Sequence, residues 1–190
     1  MKQVVLKMDV QTWGCKPPKD ERLRYVLATN GAKTPLICIG INPSTADCDG
    51  LDPTTKKLTK IAKNNNFDRW IMLNIYPLRK TRPSDLSKEN DELQESEKEE
   101  NKNHINEIIN NKYPDVPILC AWGTNITKRA YFKTYFKLLY ENVLKNNTSR
   151  LKCLGYTNKK HPKHPLYCSA ESKLIDFNIE DYPYLKKVLN

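Results

Sequence analysis

Pro35-Leu36-Ile37-Cys38-Ile39-Gly40 runs straight into Ile41-Asn42-Pro43-Ser44-Thr45-Ala46-Asp47, and the reading of this stretch decides the fold. The first half is apolar at nearly every position rather than alternating, which suits a strand buried on both faces of a largely parallel sheet. The second half is a polar loop, and Asn42 precedes a proline, so its backbone is held extended at the strand end. Three further runs share the design, at 70–74 (WIMLN), 117–122 (PILCAW) and 151–155 (LKCLG). Residues 25–28 (YVLA), after a charged segment, are expected to form an edge strand.

Helix-length patterns lie between these runs. Asp52-Pro53 offers an N-cap followed by proline at the first helical position, and Leu58, Ile61 and Ala62 then share one face of a helix over 52–64. A second helix is expected over 96–112, with Ile105, Ile108 and Ile109 on one stripe. A third spans 127–146, where Phe132, Tyr135, Phe136, Leu139, Tyr140 and Val143 read as core and not as a base-stacking platform. Segment 84–103 carries the weakest pattern, and the tail after Leu174 reads as an irregular closing stretch. Strands alternating with helices imply an α/β protein, a three-layer α/β/α sandwich with a mainly parallel central sheet and one domain across 1–190.

Composition narrows the classes. A chain of 190 residues that is 38% hydrophobic is long enough to bury a core. No apolar run approaches the roughly 18 residues of a membrane span. Lys7 and Asp9 interrupt the N-terminal apolar stretch, which excludes a secretion signal and implies a cytoplasmic protein with no membrane partner. Cys38, Cys120 and Cys153 fall in strands, Cys15, Cys48 and Cys168 in loops, and reduced thiols are expected. A formal charge of +10 favours an anionic partner, nucleic acid or nucleotide first. A bias toward Lys, Asn and Ile from genome composition produces the same charge without selection for binding.

Ligands of open α/β sheets bind outside the carboxyl ends of the strands. Those ends bring in Asn42 and Ser44, then Asn74 with Arg79 and Arg82, then Trp122, then His161, His164 and Tyr167. Lys56 and Lys57 join Arg79 and Arg82 as candidate phosphate contacts. Asp47, Asp49 and Asp52 cluster beside the first loop, where one carboxylate is placed to act as a base or hold a hard cation; helix capping and turn solvation are the plainer alternative. Cys153, His161, His164 and Cys168 carry zinc-type donors, but their spacing matches no common zinc pattern, so neither metal nor cofactor is assigned.

At these residues the chain resembles a bacterial and phage family known as domain of unknown function 1643, through GINPSTAD with DPTTKK behind it, NIYPLRKT, AWGT, and LGYT followed by HPLY. The resemblance runs from about residue 24 to residue 167. More distantly, the order strand–GINPS, strand–N, strand–WG, strand–HP is similar to the uracil-DNA glycosylase superfamily. That resemblance implies a uracil-DNA-glycosylase-like fold in which Asn42 positions the attacking water, Asn74 reads the base edge and His164 stabilises the leaving group.

The implied chemistry is hydrolysis of an N-glycosidic bond, with a modified or mismatched base in DNA as the expected substrate. It creates an oxocarbenium-like sugar and an anionic base. An amide orients water but accepts no proton at neutral pH, so Asp47 is the candidate base beside Asn42 and His164 in the catalytic set. Ser44, Asn74, Trp122 and Tyr167 form the candidate base- or nucleotide-binding set. Ser44 stands where the uracil-specific branch carries a tyrosine, which leaves room for a larger base. Pro165-Leu166-Tyr167 departs from the duplex-opening loop of that superfamily. The alternative function is a non-catalytic module that binds a nucleotide or nucleic-acid end in the same cleft.

Overall fold

The computed structural model describes residues 14–17, 20–31, 34–46 and 50–189. One seven-stranded sheet organises them: β1 (Gly14–Lys16), β2 (Val26–Ala28), β3 (Leu36–Gly40), β4 (Trp70–Asn74), β5 (Ile118–Cys120), β6 (Leu151–Cys153) and β7 (Ile175–Asp176). Their order across the sheet is β1-β2-β4-β3-β5-β6-β7. The pairings β4–β3, β3–β5 and β5–β6 are parallel, whereas β1–β2, β2–β4 and β6–β7 are antiparallel.

The sheet is therefore mixed, not mainly parallel. The four continuous apolar runs supply the parallel centre, and short strands that carry no such run add antiparallel margins. Cys15 lies in β1, not in a loop, and β1 covers β2, so residues 26–28 are not an edge.

Because successive strand residues point to opposite faces, the strands feed two separate cores. Ile37, Ile39, Ile71, Leu73 and Ile118 enter one, and Leu36, Cys38, Trp70, Met72 and Leu119 enter the other. α1 (Pro53–Asn64) packs Leu58, Ile61 and Ala62 into the second core. α2 (Glu95–Asn106) and α3 (Phe132–Asn142) pack into the first.

The Asp52 cap holds α1 as the sequence implies, its Oδ1 accepting from Thr55 N at 2.8 Å. α2 continues as a wide π turn, Glu107–Lys112, so the expected helix over 96–112 is present in two conformations. α3 starts five residues later than expected. Gly123, at φ +60°, turns the chain into a 3₁₀ segment, Gly123–Thr127, before the helix begins.

The tail is not irregular. It adds β7 and α4 (Pro183–Leu189), and buries Phe177, Tyr182 and Tyr184 in the first core. Its scattered aromatics lack helical or strand periodicity, which is why the sequence pattern hides them. The five described cysteines, Cys15, Cys38, Cys120, Cys153 and Cys168, are free thiols. Among the described residues no helix is long and apolar enough to cross a membrane.

Candidate active site

The carboxyl ends of β3, β4, β5 and β6 point the same way, and a 410 Å³ cleft opens beyond them. β3 sits between β4 and β5, so the chain leaves it first to one side and later to the other. That reversal splays the loops apart and leaves a crevice. Gly40, Asn42 and Ser44 enter it after β3, Asn74 ends β4, Asn125 follows β5 and His164 follows β6.

Asn42 is oriented by three carbonyls. Its Nδ2 donates to Pro43 O and Lys80 O at 3.0 Å each and to Leu78 O at 3.5 Å. This surrounding fixes the amide, because an oxygen turned toward three carbonyls would be repelled. The amino group is spent on tying the β3 loop to the β4 loop, and Oδ1 is left as an acceptor.

Asn74 is 2% exposed, and its Nδ2 has no hydrogen-bond partner among the described residues. A buried donor left unpaired is costly, so a group that binds it gains more than a surface contact would. Gly40 lies beside it in register across β3–β4. A Cβ at position 40 would stand 3.1 Å from Asn74 Oδ1, so glycine there is what admits the amide.

His164 caps a short 3₁₀ turn, Pro165–Tyr167, and its Nδ1 accepts from Leu166 N at 3.3 Å. Burial pushes its imidazole below the ordinary histidine range, and the Asp52 charge opposes this only in part. The ring is therefore neutral at pH 7, and with Nδ1 accepting, its proton resides on Nε2. Nε2–H remains as a donor.

Gly123 makes room for His164: a Cβ at 123 would lie 3.3 Å from His164 Cβ, and Gly123 N donates to Pro162 O at 3.0 Å. Asn125, His164 and Tyr167 also border a neighbouring 320 Å³ depression that carries Lys163. Tyr167 is 78% exposed at the mouth, so it is available to a ligand without rearrangement.

Of the residues expected from sequence, Asn42, Ser44, Asn74, Arg82, His164 and Tyr167 line the one cleft. Asp47 and Asp49 lie outside the described residues. Trp122 does not reach the cleft. It is fully buried against Phe136 and Phe177, and its Nε1 donates to Tyr182 Oη at 3.1 Å. The strand end carries its ring to the core face, while the following glycine borders the neighbouring depression.

Arg79 is a clamp on the loops: its guanidinium donates to Asp20 O at 2.7 Å and Thr45 O at 3.3 Å. Lys56 and Lys57 follow the first turn of α1 without lining the cleft, and Lys57 lies toward Cys168 and Glu171. The zinc-type donors separate as well. His161 Nδ1 meets Tyr182 Oη at 2.6 Å within the core, and no cluster of three or more metal-ligating side chains occurs among the described residues.

A buried arginine at the cleft escaped the sequence reading. Arg24 is 2% exposed and borders the cleft, with its guanidinium donating to Ala46 O. Its signal was a lone arginine inside the apolar run Leu23–Ala28. Asp52 both caps α1 and lines the cleft, so capping and a role in the site are not exclusive. Its Oδ1 takes two hydrogen bonds from Thr55, at 2.8 Å from the amide and 2.9 Å from the hydroxyl.

Residues 24–166 match the sequence model of a family described as Protein of unknown function (DUF1643). No curated protein and no solved structure matches the chain.

Proposed function

From the premise that the chain belongs to the DUF1643 family, we propose that it is a nucleobase-processing hydrolase that cleaves an N-glycosidic bond in the manner of the uracil-DNA glycosylases. One observation carries the reading: Asn42, Asn74 and His164, far apart in sequence, line a single cleft with complementary unspent groups. The two core clusters, fed by alternate strand residues, support a three-layer arrangement of one domain around the sheet.

The chemistry follows from which groups remain free. Asn42 Oδ1 accepts a hydrogen bond from a water and aims its oxygen at the sugar carbon. As the C–N bond breaks, its electron pair goes to the base. His164 Nε2–H and Asn74 Nδ2–H donate to the oxygen where that charge collects. The water loses its proton as the new C–O bond forms. Asp52 is the described carboxylate in the cleft and takes that proton directly or through solvent. Ser44 leaves space for a substituted base. Arg82 and Lys163 at the margins suit phosphate, and the +10 chain suits nucleic acid.

A second reading has an observation of its own. The residue beside the water position is an amide, and its amino group is fully engaged. A cleft of that kind binds a nucleotide or nucleic-acid end without cutting it.

A product assay separates the two. Single-stranded and duplex oligonucleotides carrying uracil, mismatched thymine or hypermodified pyrimidines are incubated with protein and scored for abasic sites. The hydrolase reading expects strand-specific abasic product, reduced about 10²–10³-fold in His164→Ala, the usual loss for one charge-stabilising donor. Binding of any of these oligonucleotides with no product from wild type sinks it in favour of the binding module. Affinity that stays flat between low and high salt would exclude the phosphate contacts.

A further inference from the structure

On the other side of the β4 end from the cleft, a 270 Å³ cavity opens between α2 and α3. We propose that it is a second ligand site, taking a neutral molecule with an apolar body and one N–H or O–H donor. The proposal is independent of what the strand-end cleft does.

Its walls are mostly apolar, from Ile75, Ile105, Leu138, Leu139 and Val143. Leu138 is 42% exposed, so it presents apolar surface at the mouth of the cavity. The charges at the rim are already matched. Glu95 pairs with Lys98 at 2.6 Å and Glu99 with Lys102 at 2.6 Å, so the rim offers no net charge to a ligand.

The buried neutral polar groups decide the ligand's chemistry, because Asn101 and Tyr135 have spent their donors. Asn101 is 4% exposed, and its Nδ2 donates to Asn74 O at 3.1 Å and Ile75 O at 3.3 Å. Its Oδ1 is buried with no partner among the described residues. Tyr135 Oη donates to Asp91 Oδ2 at 2.6 Å, and Asn142 Nδ2 donates to Leu138 O at 2.7 Å. What remains on Asn101 and Tyr135 is acceptor capacity alone, whereas the exposed Asn142 keeps one N–H at the rim. A ligand that brings only acceptors leaves the buried Asn101 oxygen unmet, and one that brings a donor satisfies it.

Asn101 cannot relieve itself by turning its amide over. That would set its oxygen against two backbone carbonyls. The donors that fix it come from holding the end of β4. The unmet oxygen is thus a consequence of the fold, and it belongs to a residue of the cavity wall.

The test uses indole and 1-methylindole, a pair of matched shape in which only the first carries an N–H. Each is titrated into the intact ¹⁵N-labelled protein and followed by amide resonances. Indole should shift the Asn101 side-chain amide and the backbone amides of Ile105 and Leu139, and bind about tenfold more tightly than 1-methylindole, the value of one neutral hydrogen bond. Asn101→Leu should erase that preference, and Leu138→Trp, at the exposed mouth, should weaken both probes. Equal affinity of the two probes for wild type overturns the proposal whether or not the variants fold. So does the absence of shifts at these residues at millimolar probe.

Discussion

His161 and His164 stand three residues apart and belong to different machines. His161 is 5% exposed, bonded to Tyr182 and set against Tyr184 in an aromatic plug behind the parallel strands. His164 lines the cleft in front of them. The same division runs through the β5 end, where Trp122 enters the plug and Gly123 turns the chain to leave room for His164. In the plug, the polar atoms of Trp122, Tyr182 and His161 pair with one another. In the cleft, Asn74 keeps a donor unspent. A fold that satisfies polar groups in one place and withholds partners in the other marks the second as the place for a ligand.

The sharpest way to break this division is Trp122→Ala. A plug residue of that size should cost about 3–5 kcal/mol of stability, read as a fall in the urea midpoint with an unchanged slope. If the variant instead keeps its midpoint and loses oligonucleotide binding, Trp122 belongs to the cleft after all.

Tyr182→Phe is the subtler cut. Removing the hydroxyl leaves Trp122 Nε1–H and His161 Nδ1 facing each other without a bridge. Unpaired buried polar atoms of this kind cost about 1–3 kcal/mol. The tail carrying Tyr182 should loosen with it, so hydrogen exchange should quicken over 175–189 before it quickens in the central strands. Uniform exchange would mean the tail is not pinned through this bridge.

Gly40→Ala probes the other region. The added methyl must shift Asn74 Oδ1 from 3.1 Å, and the strain of overpacking runs to about 1–3 kcal/mol. Since an amide tip moves more easily than backbone, the low end is expected for stability. The larger effect should fall on ligand binding, with KM or Kd raised while the midpoint changes little. A variant that binds and reacts as wild type would show that Asn74 is not what the ligand meets.

What the sequence disclosed follows the same division. The parallel centre announced itself because strands buried on both faces cannot hide their hydrophobicity, and Asn-Pro and His-Pro punctuated their ends. The antiparallel margins did not, since β1 and β7 are three and two residues long and partly exposed. Asn42 and Asn74 were legible as polar residues that close apolar runs, and His164 as the residue before a proline in the loop after the fourth run. Trp122 was misplaced because a strand end has two sides and the sequence does not say which one a side chain takes. Arg24 was missed because the chain contains many basic residues and burial is a property of the fold. The tail's role was illegible because Phe177, Tyr182 and Tyr184 gain their meaning only from contact with Trp122 and Phe136.

Acid separates the two histidines by the smallest but cleanest effect. Burial lowers His161 and His164 alike, and Lys159 and Lys187 add to the depression at His161 while Asp52 works against it at His164. His104 is also lowered, by burial and Lys16, against Glu100. Each group has a folded pKa below its unfolded value of about 6.5. As pH falls through that value, the unfolded chain takes up protons first, and stability declines until the folded pKa is passed. Above it, all three rings are neutral in both states and contribute no slope. The urea midpoint should therefore be level from pH 8 to 7 and fall toward pH 5. His161→Gln and His164→Gln should each remove part of that fall. Protonating His164 also turns its Nδ1 from acceptor to donor against Leu166 N–H. Ligand binding in the cleft should weaken over the same interval in wild type, while in His164→Gln the residual binding should not follow pH. A binding curve that tracks His161→Gln instead would put the pH-sensitive group in the plug, and the division between the two histidines would fail.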